Sequence, residues 1–145
     1  MRRIVLDTNV LLSFLTDRDP EQQEKAAHLF DEAAAGELTL VLHQMVVTEL
    51  VYVLRNLYSV APEVIAATIE DVLAMPGIAP ENDLVWSLLL DLWPAKVSDF
   101  TDAALAAVAI QGRHDALATF DRPFARQLAK QGAAVYWKLP PHRTG

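Results

Sequence analysis

Four acids stand where the surrounding sequence gives an acid little reason to be. Asp7, in the stretch IVLDTNVLL (residues 4–12), directly follows a short apolar run, and so does Asp121 in LATFDRPF (117–124). Such a run bounded by a polar turn reads as a buried strand, so both carboxylates should emerge at the carboxyl ends of strands, the edge where open α/β sheets bind ligands. Glu49, in HQMVVTELVYVL (43–54), has Met45, Val46, Tyr52 and Val53 three and four residues away, which on a helix puts its carboxylate on an apolar face. A carboxylate buried there must find a partner or stay protonated, and the same helix offers only Arg55 as a cation. Asp102, in SDFTDAALAAVAI (98–110), falls one turn into a helix for which Ser98 is the expected N-cap, on the stripe of Leu105 and Ala106. Asp99 is three residues earlier on that face, and it is either a helix-dipole acid or an auxiliary ligand.

Each acid alone has an ordinary reading, as a turn or cap residue for Asp7 and a core salt bridge for Glu49. Together they converge at a cost: two like charges about 4 Å apart repel by roughly 4 kcal/mol at an effective dielectric of about 20. A divalent cation removes that cost. Oxygen ligands with no Cys and no evident His set suit Mg²⁺ or Mn²⁺, and a pair of such ions about 3.5 to 4 Å apart is a device for in-line displacement at phosphorus. Asn9 and Thr119, close in sequence to Asp7 and Asp121, are placed to orient carboxylates or bond ligand waters.

The elements that must carry these residues alternate. Further strands are expected at 39–43, 116–120 and 133–137, with a weaker one at 77–80. Helical spacing occupies 21–35, 44–57, 62–74, 81–93, 98–111 and 122–131, punctuated by Pro20, Gly36, Pro62, Pro80, Pro94, Gly112 and Gly132. Alternation of this kind predicts an α/β fold with a central, mostly parallel sheet of four or five strands and helices on both faces. A chain of 145 residues buries one substantial core, so one domain is expected over 1–138 with a loose tail at 139–145.

Composition narrows the chemistry. The absence of cysteine excludes disulfides, thiolate nucleophiles and thiolate metal sites. No apolar run approaches a membrane span and no signal-peptide pattern opens the chain, so a cytoplasmic protein is expected. The formal net charge of −7 argues against nucleic acid as a partner unless clustered acids hold cations that reverse the local field. Arg122, Arg126 and Lys130 recur every four residues after Asp121, making one helical stripe that is either an RNA-binding track or a solvated face. His28, His43, His114 and His142 are scattered, and His43 reads better as a turn cap than as a site residue. Nothing provides paired imidazoles or a Ser-His-Asp arrangement. Trp86, Trp93 and Trp137 read as core or subunit-interface residues, since no aromatic residues interleave with basic ones. Apolar helix surface beyond the needs of one small core points to a homodimer.

The motifs LDTNVLL, TEL, DFTDAALAAVA and TFDRPF, in this order between residues 6 and 124, resemble those of PIN-domain nucleases, most closely the VapC-type toxin ribonucleases of type II toxin–antitoxin pairs. The resemblance implies an α/β/α sandwich and an acidic site of Asp7, Glu49, Asp102 and Asp121 binding Mg²⁺ or Mn²⁺. It further implies metal-activated water that cuts RNA to leave a 5′-phosphate and a 3′-hydroxyl, a homodimer, and a small antitoxin whose arginine reaches the carboxylates. Other classes fit less of the chain. A haloacid-dehalogenase phosphatase needs a second acid two residues after Asp7, where Asn9 stands, and a receiver domain needs an acidic pair near Asp7 and an acceptor Asp on the middle strand. A general RNA-processing nuclease or a catalytically silent binding domain on the same fold stays open.

Overall fold

The computed structural model describes residues 1–139. The proline-rich end of the expected tail, residues 140–145 with His142, lies outside the described residues. Four parallel strands form one sheet: β1 (Arg2–Leu6), β2 (Leu38–His43), β3 (Ile78–Glu81) and β4 (Ala116–Ala118), in the order β3-β2-β1-β4. Parallel neighbours require crossovers, and six of the seven α-helices among the described residues supply them. Helices α1 (Thr8–Leu15) and α2 (Pro20–Ala34) link β1 to β2, α3 (Gln44–Asn56) and α4 (Pro62–Ala74) link β2 to β3, α5 (Trp86–Leu92) and α6 (Phe100–Gln111) link β3 to β4, and α7 (Arg122–Lys130) follows β4. The chain therefore winds outward from β1 in one direction and then returns to β1's other side. That reversal opens a crevice past the carboxyl ends of β1 and β4.

Successive strand residues point to opposite faces, and Ile4, Val5 and Leu6 are all fully buried, so helices cover both faces of the central strand. Helix starts follow local chemistry. Asp19 caps α2 by accepting from Gln22 N at 3.1 Å with Pro20 next in line, and Gly36, at φ +79°, turns the chain out of that helix toward β2. Helix α6 is buried on every side from Ala103 to Ala109, five of its seven residues there being alanine, which lets its backbone sit close to the sheet.

Several expectations shift. The predicted strand at 133–137 reduces to a single bridge between Leu117 and Val135, after which Tyr136–Lys138 forms a 3₁₀ turn. Val135 is buried, but Tyr136 bonds Glu32 through its hydroxyl and Trp137 stacks on Phe120, and these contacts draw the chain off the sheet edge. The weak candidate at 77–80 is a strand despite Pro80, which an edge position tolerates. The helix expected from residue 81 begins at Trp86, because Glu81 ends β3 and its carboxylate accepts from the backbone N of Asn82 and Asp83, folding a turn there. The cap of α6 is Asp99 rather than Ser98, its Oδ1 accepting from Asp102 N at 3.0 Å.

Candidate active site

Asp7 leaves β1 and caps α1. Its Oδ1 accepts from Thr8 N at 2.8 Å, and its Oδ2 accepts from the Thr119 hydroxyl at 2.7 Å and from Asn9 Nδ2 at 3.0 Å. The residue is 4% exposed. Thr119, just past β4, also accepts from Asp121 N at 3.0 Å and from Asn9 Nδ2 at 3.2 Å, while Asn9 Oδ1 accepts from Phe120 N at 2.9 Å. Two polar side chains thus lace the end of β1 to the end of β4, across the crevice that the strand order creates.

Asp121 caps α7, its Oδ1 accepting from Phe124 N at 3.0 Å, and stands exposed at the crevice mouth. Glu49 is not sunk in an apolar face as its neighbours predict. The buried stripe of α3 is Val46, Leu50 and Leu54, which leaves Glu49 to one side, exposed, with its Oε2 accepting from the Thr8 hydroxyl at 2.7 Å. Asp102 sits half-buried at the open end of α6 and accepts no side-chain hydrogen bond from the described residues.

These four acids, with Asp99, line one cleft of about 330 Å³, and among the described residues no lysine, arginine or histidine lines it with them. The electrostatic consequence is visible in two groups. Burial, opposed by the Thr119 and Thr8 hydrogen bonds and reinforced by Glu49 and Asp121, pushes the Asp7 carboxyl up to about 6. Burial, then the charges of Asp7, Asp99, Asp121 and Glu49, pushes Asp102 up to about 8. The carboxylates therefore feel one another across the cleft.

Their donor set fits a hard divalent cation. The Asp102 carboxylate, Glu49 Oε1 and Asp121 Oδ2 have no hydrogen-bond partner among the described residues, which leaves hard oxygen donors free on residues that line the cleft. The acids line the cleft apart from one another: among the described residues, no group of three or more His, Cys, Asp or Glu is placed to hold a metal ion.

Among the other residues singled out by the sequence, Arg122, Arg126 and Lys130 are all exposed on α7. His43 caps α3, its Nδ1 accepting from Met45 N at 3.1 Å while Nε2 contacts Asp83 O at 2.7 Å. Trp86 is exposed, and Trp93 meets Phe100 edge to face. No local signal announces Thr8 as Glu49's partner, or the Ser98 hydroxyl accepting from Gln127 Nε2 at 3.3 Å beside the cleft. Both pairings join residues far apart in the chain, which no local pattern encodes.

A PIN domain model matches residues 3–123, and the chain belongs to the PIN domain family. Among solved structures it is similar to PAE2754 from Pyrobaculum aerophilum, with a TM-score of 0.62, 18% identity, and coverage of 92% of this chain and 83% of that one. At that identity the likeness is one of fold. No curated protein matches the chain. PIN domains are in general nucleases, hydrolases that use divalent metals, and the acidic cleft is consistent with that chemistry. None of the described helices is long and apolar enough to cross a membrane.

Proposed function

We propose that the protein is a metal-dependent endoribonuclease, the toxin of a toxin–antitoxin pair of the VapC type. One observation carries the nuclease reading: acids from four separate elements line a single cleft without a balancing cation, at the switch point of a PIN-domain sheet. Asp7, Glu49, Asp102 and Asp121 would hold Mg²⁺ or Mn²⁺, with Asp99 at the rim. When bound, such an ion supplies charge neutralisation and a nucleophilic water for attack on a phosphodiester.

The chain's own residues prepare that step. Thr119 and Asn9 fix the Asp7 carboxylate in one orientation, and Thr8 holds Glu49 toward the same cleft. Asp102 keeps its proton near neutral pH and releases it when positive charge arrives. The toxin reading rests on the order and context of the four motifs. A small antitoxin with an arginine directed at the acids is the matching partner, and a cytoplasmic homodimer the matching state. Exposed Tyr52, Leu57, Val64, Leu73, Trp86 and Leu90 on and around α3, α4 and α5 supply apolar surface for such assembly.

The test is cleavage of labelled single-stranded RNA by purified protein. Activity with Mg²⁺ or Mn²⁺ that disappears in EDTA and in Asp7→Asn is expected. Cleavage that persists in chelator and in that variant would overturn the reading.

A further inference from the structure

Beside the acidic cleft lies a second, open groove of about 690 Å³, and the two share Asp121. Lys25 from α2, Arg122 and Arg126 from α7, and Lys138 from the 3₁₀ turn all line it, four of the chain's twelve lysines and arginines. Phe120 and Trp137 line the same groove and stack on each other, ring centroids 4.5 Å apart and planes 20° apart. Both rings are half-buried, so the stacked pair keeps ring surface accessible where it lines the groove.

Three acids also line the groove, and Asp121 among them caps α7 through Oδ1. Asp19 caps α2, and Glu21 pairs with Lys25 at 3.8 Å. Arg122, Arg126 and Lys138 make no ion pair with any described residue. In a chain of net charge −7, four cations against three acids make this lining slightly positive, and three of those cations, uncommitted, flank a stacked aromatic pair. Cations that track a backbone beside a ring that accepts any base face are the two parts of a single-strand nucleic-acid site.

We propose that this groove binds single-stranded RNA next to the scissile phosphate, with one base stacked on Trp137 and the backbone phosphates on Arg122, Arg126 and Lys138. The assignment rests on the ribonuclease reading and extends it to where the strand runs. It also revises the expected basic stripe: Lys130 lies outside the groove, while Lys25 and Lys138, distant in sequence, lie within it. Continuity supports the path, because Asp121 and Pro123 border the cleft, and Asp121 and Arg122 border both the groove and a neighbouring cavity lined by Asn9 and Arg18.

The experiment is fluorescence anisotropy of a labelled single-stranded RNA oligonucleotide in EDTA, where hydrolysis is silent, with metal-supported cleavage of the same RNA measured in parallel. Trp137→Ala should weaken binding roughly 5- to 150-fold, the range for losing one stacked base. Trp137→Phe should recover most of that loss, which a merely misfolded variant would not. An abasic residue scanned along the oligonucleotide should weaken wild-type binding at one position and leave Trp137→Ala binding unaffected there. Arg126→Ala combined with Lys138→Ala should flatten the slope of log affinity against log salt by about 0.7 for each lost phosphate contact, and Arg55→Ala, on α3, should not. Wild type that cleaves RNA while all these variants bind as it does overturns the groove assignment alone. Wild type that neither binds nor cleaves RNA overturns the ribonuclease reading and the assignment with it, as does a groove that binds an acidic peptide but no RNA.

Discussion

The Thr119 hydroxyl donates to Asp7 Oδ2 at 2.7 Å and accepts from Asp121 N at 3.0 Å, so one small side chain at the end of β4 orients the acid that ends β1 and the backbone of the acid that starts α7. The arrangement makes Thr119 a positioning residue for both carboxylates.

Thr119→Val keeps the shape of the side chain and removes these two hydrogen bonds together with the one it accepts from Asn9 Nδ2. Loss of an outer partner to a ligand carboxylate typically costs roughly 10- to 100-fold in metal affinity or activity, and RNA cleavage should fall by that order. Thr119→Ser should retain most of it. Cleavage assays across a Mg²⁺ titration read this directly, and wild-type activity in the Val variant would show that Asp7 needs no such support.

Charge repulsion in the cleft predicts how stability responds to pH. Asp7 and Asp102 have folded-state values raised from 3.8 to about 6 and about 8, so between those limits the folded chain binds more protons than the unfolded one. Stability then falls as pH rises through the window. His114 works the other way: burial lowers it from 6.5, so its contribution is lost as pH falls, below the upper part of the window. Above about pH 6.5 the slope belongs to Asp102. In EDTA the melting temperature should drop from about pH 6.5 to about pH 8. Asp102→Asn should flatten that drop, and Mg²⁺ should offset it. A melting temperature that is level or rises across this range in wild type would remove the repulsive cluster.

Legibility in the sequence followed the range of the interaction. Asp7 and Asp121 were readable because a strand end and a helix start are local signals, and the four-residue neighbourhood of each states both. The α6 cap falls on Asp99, one residue past the expected Ser98, since both residue types cap well and the local sequence does not choose between them. Glu49's neighbours placed it on an apolar face, but packing rotated α3 so that Val46, Leu50 and Leu54 are the buried stripe. Trp137 on Phe120, and Thr8 on Glu49, are products of the tertiary fold and have no sequence periodicity to reveal them.

Product chemistry separates a metal-assisted water from attack by the ribose 2′-hydroxyl. Among the described residues no histidine lines the cleft to act as base for the latter, and the acids there suit the former. Upstream fragments should therefore end in a 3′-hydroxyl that a poly(A) polymerase extends without prior phosphatase treatment. Ends that resist extension and prove to be 2′,3′-cyclic phosphates would exclude the proposed hydrolysis.

The toxin role makes a demand on living cells that the fold alone does not. If growth arrest arises from the acidic cleft, inducing the wild-type chain should stop growth and Asp121→Asn should not, since that change removes one cleft charge while leaving an N-capping oxygen for Phe124 N. Retained capping keeps α7 in place, so equal expression of the two chains, followed by immunoblot, makes the comparison fair. A small partner that relieves arrest should do so by placing a cation among the carboxylates, and its arginine substituted by alanine should lose that relief even when the complex still forms. Arrest that Asp121→Asn reproduces in full would place the toxicity outside this cleft.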